Sequence, residues 1–241
     1  MNCCSAITAD TDRFFSGLAG LHRLRFRLFG FERTQRQLIE GLRAGGLAGA
    51  DLLEIGCGPG YLHRTLLHAG AARAVGVDLS HRMLSVARAE ANAQGLAERT
   101  DYRQGDFTLL ADQIAPADIS ILDKVICCYP DWERLVAASL AKTRRLYAYT
   151  IPRDRALNRL GLRAMRWGLC RTGCCYQPFL HDPARIDERV SANGFRQVYQ
   201  AQTLSWLTRV YARPVAAPAE PGTDAAPDGP AAHLSQERAV P

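Results

Sequence analysis

Between about Gly46 and Arg213, short apolar runs alternate with segments in which apolar residues recur at helical spacing. The apolar runs predict strands at Asp51–Ile55, Ala74–Asp78, Asp101–Gln104, Asp118–Asp123, Leu146–Ile151, Phe195–Ala201 and Leu204–Tyr211. Helices are predicted between them at Tyr61–Ala69, His81–Gln94 and Asp131–Lys142, with one or two more between Arg153 and Asn193. This alternation is typical of βαβ units in a parallel sheet, and the short polar turn between the last two strands predicts a β-hairpin.

The two ends of the chain differ from this middle region. The first 45 residues are predicted to be helical, with Phe14, Leu18 and Leu21 near one face of a first helix and a second helix at Phe31–Leu42. Residues 214–241 are rich in proline, alanine, glycine and acid and lack periodicity, which predicts a disordered tail. We therefore expect an N-terminal helical segment at 1–45, a domain at 46–213 and a tail at 214–241.

The composition fits one globular domain with short extensions, because 47% of the 241 residues are hydrophobic and 22% are charged. The net charge is +6, yet the positive residues are almost all scattered arginines, and Lys124 and Lys142 are the only lysines. No dense basic run of the kind that marks a nucleic-acid surface occurs, so no nucleic-acid partner is expected.

Location follows from two absences in the sequence. No apolar stretch reaches the roughly 18 residues of a membrane-spanning helix, and the N-terminus lacks the basic region and apolar run of a secretory signal. We therefore expect a cytoplasmic protein whose eight cysteines are reduced thiols.

Six of these cysteines form adjacent pairs, Cys3-Cys4, Cys127-Cys128 and Cys174-Cys175. Neighbouring Cα atoms about 3.8 Å apart rarely close a disulfide, and no C-x-x-C spacing occurs, so no metal site is predicted. Most of these thiols are expected to be apolar fillers or surface groups. Two pairs that converge in the fold would be able to hold a soft metalloid, which stays open as an alternative.

The candidate chemistry begins in the sequence DLLEIGCGPG, where Glu54 precedes Gly56, Gly58 and Gly60 at the end of the first predicted strand. Glycines let a backbone turn sharply and approach a ligand closely at the start of a helix. A dinucleotide fingerprint would require another glycine at position 61, which is Tyr61. The spacing is therefore G-x-G-x-G with an acid two residues earlier.

Two acids follow the next two predicted strands. Asp78 ends the second strand at the carboxyl edge of the sheet, where open α/β sheets bind ligands, and its carboxylate can accept hydrogen bonds from two ribose hydroxyls. A capping role at the next helix, shared with Ser80, is the alternative. After the third strand come Gly105, Asp106 and Phe107, for which a plain turn is the alternative.

In this order and spacing, residues from about 50 to 150 resemble the class I S-adenosylmethionine-dependent methyltransferases. The resemblance implies an α/β fold: a Rossmann-like seven-stranded sheet with helices on both faces, preceded here by N-terminal helices. It also implies S-adenosyl-L-methionine as cofactor. The cofactor-binding residues are then expected to be Glu54, Gly56, Gly58, Gly60, Asp78, Leu79, Asp106, Phe107 and Asp123. In that family the acid at Asp106 receives the adenine amino group, with Phe107 beside the ring.

The loop Asp123–Trp132, DKVICCYPDW, follows the fourth predicted strand and in that family faces the transferred methyl group. Tyr129 or Asp131 is the candidate catalytic residue that accepts or orients a substrate proton, and Trp132 can stack on a flat substrate. The alternative is that Asp131 caps a helix and Trp132 belongs to the core. The sequence leaves both open.

An amphipathic helix is predicted between Pro152 and Arg171, with Leu157, Leu160, Ala164 and Trp167 on one face and arginines around the others. The sequence favours packing of this apolar stripe on the sheet. Covering the substrate pocket, binding an acidic substrate group or touching an anionic membrane surface are the alternatives.

A weaker likeness over about residues 10–210 is to bacterial enzymes of the magnesium-protoporphyrin and ubiquinone O-methyltransferase kind. The sequence thus predicts methylation of a small molecule, through oxygen. Alternatives are a thiol- or metalloid-bound acceptor held by the paired cysteines, a cofactor-binding module without turnover, and an RNA methyltransferase. The last is disfavoured because no added binding domain and no Asn-Pro-Pro-Tyr motif is present.

Overall fold

A computed structural model describes residues 3–171, 176 and 178–214. Its helices, in chain order, are α1 (Cys3–Phe29), α2 (Arg33–Ala44), α3 (Tyr61–His68), α4 (His81–Ala93), α5 (Phe107–Leu110), α6 (Trp132–Ala141), α7 (Ala156–Arg171) and α8 (Pro183–Ala192). The strands are β1 (Asp51–Ile55), β2 (Arg73–Asp78), β3 (Thr100–Gln104), β4 (Ala117–Asp123), β5 (Thr143–Pro152), β6 (Arg196–Gln202) and β7 (Trp206–Ala212).

The strands form one mixed sheet in the order β3-β2-β1-β4-β5-β7-β6. The first five strands are parallel, while β7 pairs antiparallel with both β5 and β6. Strand order reverses at β1, whose neighbours are β2 on one side and β4 on the other, and such a switch point opens a crevice at the carboxyl edge. The predicted seven-stranded α/β fold is confirmed.

Two apolar layers enclose the sheet. One packs against α2, α3 and α4 and includes Leu84, and the other packs against α6 and α8 and includes Ile186. Adjacent strand residues face opposite layers, since Leu52 belongs to the first and Leu53 to the second. Burial on both faces extends to polar residues of these strands, since Glu54 of β1 is 3% exposed and Ser120 of β4 is fully buried.

The predicted strands and long helices lie within about three residues of the observed ones. The sequence did not predict α5, a single turn after β3, or the short 3₁₀ turn Ile126–Cys128 inside the loop after β4. The Cys174-Cys175 pair and the predicted tail beyond Pro214 lie outside the described residues. None of the described helices is both long and apolar enough to cross a membrane.

The favoured orientation of α7 is wrong. None of its residues is buried, and Leu157, Leu160 and Trp167 are 60%, 65% and 66% exposed. The half-buried stripe is a different one, made of Asn158, Leu162, Met165 and Leu169 at spacings of four, three and four residues. The helix has two apolar stripes, and periodicity alone does not tell which of two stripes faces the protein.

Candidate functional site

The loop from Gly56 to Gly60 joins β1 to α3 with three glycines at positive φ, namely +66°, +52° and +71° at Gly56, Gly58 and Gly60. A Cβ at Gly56 would lie 2.3 Å from Cγ2 of Val125, so this position excludes any side chain. At Gly58, which lines a cavity, a Cβ would meet no heavy atom within 4 Å. The left-handed backbone and the close packing therefore explain why the loop needs glycine.

This cavity, of about 260 Å³, lies along the carboxyl edge of the sheet. Its floor is formed by residues that follow four adjacent strands: the glycine loop after β1, Asp78 and Leu79 after β2, Asp106 and Phe107 after β3, and Asp123 to Val125 after β4. Of the predicted cofactor-binding residues, all but Gly60 line it. Gly60 instead caps α3 at its N-terminus and lies against His63, whose Cε1 would be 2.7 Å from a Cβ at Gly60.

Glu54 is 3% exposed and is tied to the helix that follows the loop. Its Oε2 accepts the main-chain N–H of His63 at 3.2 Å and lies 2.6 Å from Nδ1 of the same residue. The other ring nitrogen of His63 is 2.9 Å from the hydroxyl of Tyr102 on β3. This buried chain of hydrogen bonds fixes the start of α3 relative to the sheet. His63 was not predicted from the sequence, since nine residues separate it from Glu54 and the pair has no spacing signature.

Asp78 binds main-chain groups with both oxygens: Oδ2 accepts from Gly58 N at 2.8 Å and Oδ1 from Ser80 N at 2.8 Å. Ser80, rather than Asp78, caps α4 by accepting from Met83 N at 3.2 Å. Burial raises the pKa of Asp78 to about 6, although the two main-chain hydrogen bonds oppose that shift. The carboxylate therefore locks the glycine loop to the end of β2 on the cavity wall.

Asp106 caps α5 through Oδ1, which accepts from Thr108 N at 2.9 Å. Its Oδ2 accepts from the hydroxyl of Tyr129 at 2.7 Å. Burial, with a contribution from Asp106, raises the pKa of Tyr129 to about 12, so this hydroxyl stays protonated at neutral pH. Tyr129 lines the cavity as a donor that positions Asp106. Phe107 is 3% exposed, and part of its surface borders the same cavity.

The structure supports the capping alternative for Asp131. Its carboxylate accepts from Arg134 N at 3.1 Å at the start of α6, and Asp131 is not among the described residues that line the cavity. Trp132 is 9% exposed and its ring contacts His181 and the guanidinium of Arg185. Stacking of Trp132 on a substrate is therefore wrong, because its ring is committed to the protein interior.

At the end of β4, Asp123 is held from both sides. Its Oδ1 accepts from Thr150 Oγ1 at 2.5 Å and its Oδ2 accepts from Gln35 Nε2 of α2 at 3.1 Å. The next residue, Lys124, has φ of +60°, and its N–H donates to Thr150 Oγ1 at 2.7 Å. A left-handed conformation outside glycine costs about 1–2 kcal/mol, so surrounding contacts must hold this turn.

Helix α1 covers the cavity, which the sequence did not predict in detail. Thr11, Phe15, His22, Arg25 and Phe26 line it from above. The ring of Phe26 stacks on Tyr61 of α3 with centroids 3.7 Å apart and an interplanar angle of 4°. The cavity thus lies between the sheet edge and the N-terminal helices.

Helix α1 also contacts α4 and Ser80, the residue that precedes α4. Ser16 Oγ lies 2.7 Å from Ser80 Oγ, and Arg23 forms an ion pair with Glu90 at 3.2 Å. The hydroxyl contact is partly buried and the ion pair is partly exposed, and both add to the stacking of Phe26 on Tyr61.

A cluster of charged groups lies where α1 and α2 meet the β4 loop. Glu32 accepts from Arg25 at 2.5 Å and forms a second, shorter ion pair with Lys124. Burial alone would raise the pKa of Glu32, but the hydrogen bond and charge of Lys124 lower it overall, with help from Arg25. Burial lowers the pKa of His22 and the charge of Glu32 raises it, while the charges of Arg25 and Lys124 lower it further, so the pKa lies below its usual value. His22 is therefore a neutral base beside the cavity at neutral pH.

Two of the cysteines that the structure describes, Cys57 and Cys128, border the cavity. Cys127 is buried, and its Sγ lies 3.9 Å from that of Cys128, which borders the cavity and contacts the hydroxyl of Tyr176 at 3.1 Å. Across the described ranges, no group of three or more His, Cys, Asp or Glu side chains is arranged to hold a metal ion.

The cavity suits a nucleoside ligand that carries a positive sulfur. Gly58 leaves open space, and the buried hydroxyl of Tyr61 has no hydrogen-bond partner among the described residues while its side chain borders the cavity. Carboxylates at Asp78 and Asp106 can accept from ribose and adenine, and that of Asp123 is complementary to a sulfonium. S-adenosylmethionine has these three features.

Comparison with known proteins agrees with this geometry. Residues 52–146 match the family model described as a methyltransferase domain. The chain is 35% identical over 114 residues to a ubiquinone biosynthesis O-methyltransferase of Xylella fastidiosa, covering 46% of this chain and 45% of that protein. It is 33% identical over 101 residues to a ribosomal protein L11 methyltransferase of Serratia proteamaculans, covering 39% and 33%. The chain thus spans a third to under half of the length of these relatives.

The fold is shared with solved structures of low sequence identity. A magnesium protoporphyrin IX methyltransferase from Synechocystis PCC 6803, crystallised with bound S-adenosylmethionine, superposes with a TM-score of 0.64 at 18% identity, covering 89% of this chain and all of that one. A putative sarcosine dimethylglycine methyltransferase from Galdieria sulphuraria gives a TM-score of 0.60 at 13% identity, covering 75% and 85%.

Proposed function

We propose that this chain is a class I S-adenosylmethionine-dependent methyltransferase that transfers the methyl group of that cofactor to an oxygen atom of a small molecule, because residues 52–146 match a methyltransferase domain and the sheet carries the cavity described above. The observation that carries the proposal is the set of cavity-lining groups at four adjacent strand ends, the glycine loop, Asp78, Asp106 and Asp123, facing a separate wall formed by α1. The similarity to a ubiquinone biosynthesis O-methyltransferase supports oxygen as the acceptor atom. A cytoplasmic location stays a prediction.

For the cofactor we assign one part of the site to each strand end. The loop Gly56–Gly60 and Glu54 are assigned to the amino-acid portion, Asp78 with Leu79 to the ribose, and Asp106 with Phe107 to the adenine. Asp78 suits this role because each of its oxygens accepts one main-chain hydrogen bond and has capacity for a second. Tyr129 supports the adenine subsite by fixing Asp106.

For the reaction, the bound sulfonium supplies an activated leaving group, so the protein has to align the acceptor and receive its proton. We assign the proton to His22, because it is a neutral base on the cavity wall. This assignment replaces Tyr129 and Asp131, since the first is a hydrogen-bond donor and the second is a helix cap. Gln35 and Thr150 orient Asp123 at the methyl-transfer end.

The test is calorimetry with S-adenosylmethionine, followed by methyl transfer to extracts with methyl-labelled cofactor and identification of the labelled product. Gly58→Arg should abolish binding, since its side chain would enter open space on the cavity wall. Gly17→Arg is the matched control: Gly17 lies on α1 with no heavy atom within 4 Å of its Cβ position, so binding should persist.

The outcomes separate the alternatives. Absence of cofactor binding by the wild-type chain overturns the proposal. Binding without any labelled product favours a cofactor-binding module, and a label on nitrogen or carbon overturns the O-methylation part. Loss of activity in Cys127→Ser/Cys128→Ser would revive a thiol- or metalloid-bound acceptor, for which the described residues offer no further support.

A further inference from the structure

Helix α7 has an unusual composition for an exposed helix of a globular domain. Its 16 residues include four arginines and no acidic residue. Across residues 152–171 there are six arginines and one aspartate, Asp154. Surface helices of globular proteins normally mix both signs of charge, so this segment carries a concentrated positive field.

The outward face of α7 is apolar. Leu157, Leu160 and Trp167 are each at least 60% exposed, and they recur at spacings of three and seven residues, so they share one face of the helix. The opposite, half-buried stripe holds the helix to the protein through residues such as Asn158 and Leu162. The exposed stripe therefore contributes nothing to folding, yet it presents a tryptophan and two leucines to the surroundings.

The charges flank this apolar face. Arg159 is paired with Asp154, and the guanidinium of Arg171 lies 4.4 Å from the ring centroid of Trp167. Within the part of the chain that the structure describes, Arg163 and Arg166 have no ion-pair partner. Leucine and tryptophan bordered by unpaired arginines are the combination that lies in the interface of a lipid bilayer, where long cationic side chains reach phosphate groups.

We propose that α7 is an in-plane anchor that docks this protein on a bilayer containing anionic phospholipids. Charge complementarity favours this occupant, because arginines with no acid on the helix match a surface with one sign of charge. A second copy of α7 would bring two positive helices together, which is unfavourable.

Contacts at the start of α7 connect the proposed anchor to the cavity. At its start, Asn158 Nδ2 donates to Ser205 O at 2.9 Å, and the neighbouring Trp206 has Lys124 of the cavity wall 5.2 Å from its ring centroid. Beyond its end, Tyr176 stacks on Phe14 of α1 with centroids 4.4 Å apart. The start of α7 is thus connected to a wall of the cavity.

Helix α1 adds a second apolar surface beside the cavity. Leu21, Leu24 and Leu28 are 60%, 55% and 65% exposed at spacings of three and four residues. At 100° per residue they lie opposite Phe15 and His22, which line the cavity. These leucines give α1 an apolar outer face on the side away from the cavity.

The test uses the full chain with two vesicle preparations, pure phosphatidylcholine and an equimolar mixture with phosphatidylglycerol. We expect co-sedimentation with the anionic vesicles alone, weakened by salt, together with a blue shift of tryptophan emission. Leu160→Glu/Trp167→Glu should lower the bound fraction by about tenfold or more, and each of Arg163→Gln and Arg166→Gln by about fivefold. Trp167→Phe should keep binding and lose the blue shift.

Val198→Glu is the matched control, because Val198 is 54% exposed on the edge strand β6 and its replacement should leave vesicle binding unchanged. Binding to neither preparation, or equal binding by the wild type and Leu160→Glu/Trp167→Glu, would overturn the anchor. A dimer in sedimentation velocity that this double variant dissociates would assign the stripe to a second copy instead.

Cofactor calorimetry without vesicles keeps the two proposals separate. A chain that binds S-adenosylmethionine and ignores vesicles retains the proposed function and refutes the anchor. A chain that binds anionic vesicles without binding the cofactor retains the anchor and refutes the proposed function.

Discussion

The cavity has two halves that are built in different ways. The floor, from the glycine loop to Asp123, consists of residues that directly follow parallel strands, and main-chain geometry sets their positions. The cover, from Thr11 to Gln35, is held by side-chain contacts between segments far apart in the chain, such as Glu32 with Lys124. The floor is thus placed by the sheet, and the proposed site assigns the cofactor to it, whereas the cover is placed by side-chain contacts, and we expect it to select the acceptor.

The sharpest test of the floor is Gly56→Ala. The new Cβ would sit 2.3 Å from Cγ2 of Val125 at a φ of +66°, so left-handed strain and overpacking combine to about 3 kcal/mol of lost unfolding free energy. Urea denaturation measures it. Gly17→Ala, in the middle of α1 with open space around it, should instead gain up to about 1 kcal/mol. Equal effects at the two glycines would contradict the distinction between floor and cover.

The cover is tested by His22→Gln. If His22 receives the proton of the acceptor, the rate of methyl transfer to the labelled product should fall about 100-fold. Cofactor affinity should stay unchanged, because the cofactor is assigned to the floor. His68→Gln is the control, since His68 is exposed on α3 and bonds Gln94. A fall in cofactor affinity with no fall in rate would move His22 out of the acceptor half.

The smallest expected effect is a pH dependence that belongs to the floor alone. Burial sets the pKa of Asp78 at about 6, above its usual 3.8, with Glu54 and Asp12 acting in the same direction. Ribose hydroxyls need the ionised form, so the Kd for S-adenosylmethionine should rise by up to about tenfold for each pH unit below 6. Calorimetry between pH 7 and 5 measures this, and Asp78→Asn should bind weakly without that slope.

In the protein without cofactor, protonation of Asp78 has the opposite effect, because it stabilises the fold. A folded-state pKa above the unfolded value means that protonation of Asp78 stabilises the free protein below pH 6, and this stabilisation is lost as pH rises. Acid therefore favours the empty fold and neutral pH favours the complex. A cofactor affinity that is constant over this range would remove Asp78 from the ribose subsite.

The sequence was informative about the floor because its residues occupy fixed places after strands. Gly56, Asp78 and Asp106 were predicted from local spacing, and each lies on the cavity wall. Their roles in binding stay predictions. The contacts of the cover were not predicted, because they join residues far apart in the sequence. Gln35 is 88 residues from Asp123, and Lys124 is 92 residues from Glu32. Neither pairing has a spacing signature.

The predicted orientation of helix α7 was wrong for another physical reason. Its two apolar stripes have the same period, and only tertiary packing decides that Leu162 faces inward and Leu160 outward. Asp131 shows the same limit on a smaller scale, because a carboxylate before a helix is equally suited to capping and to proton transfer. Periodicity and residue type predict elements well and predict facing directions poorly.

The hydroxyl contact between Ser16 and Ser80 bears on the rate at which a bound cofactor is released. Ser80 also caps α4 and donates its N–H to Asp78, so a single residue connects the cover to the carboxylate that we assign to the ribose. A spent cofactor that leaves from beneath α1 has to break this contact and the partly exposed Arg23–Glu90 pair. We therefore expect a higher ionic strength, which screens this pair and the ion pairs of Glu32, to shorten the residence time of the cofactor.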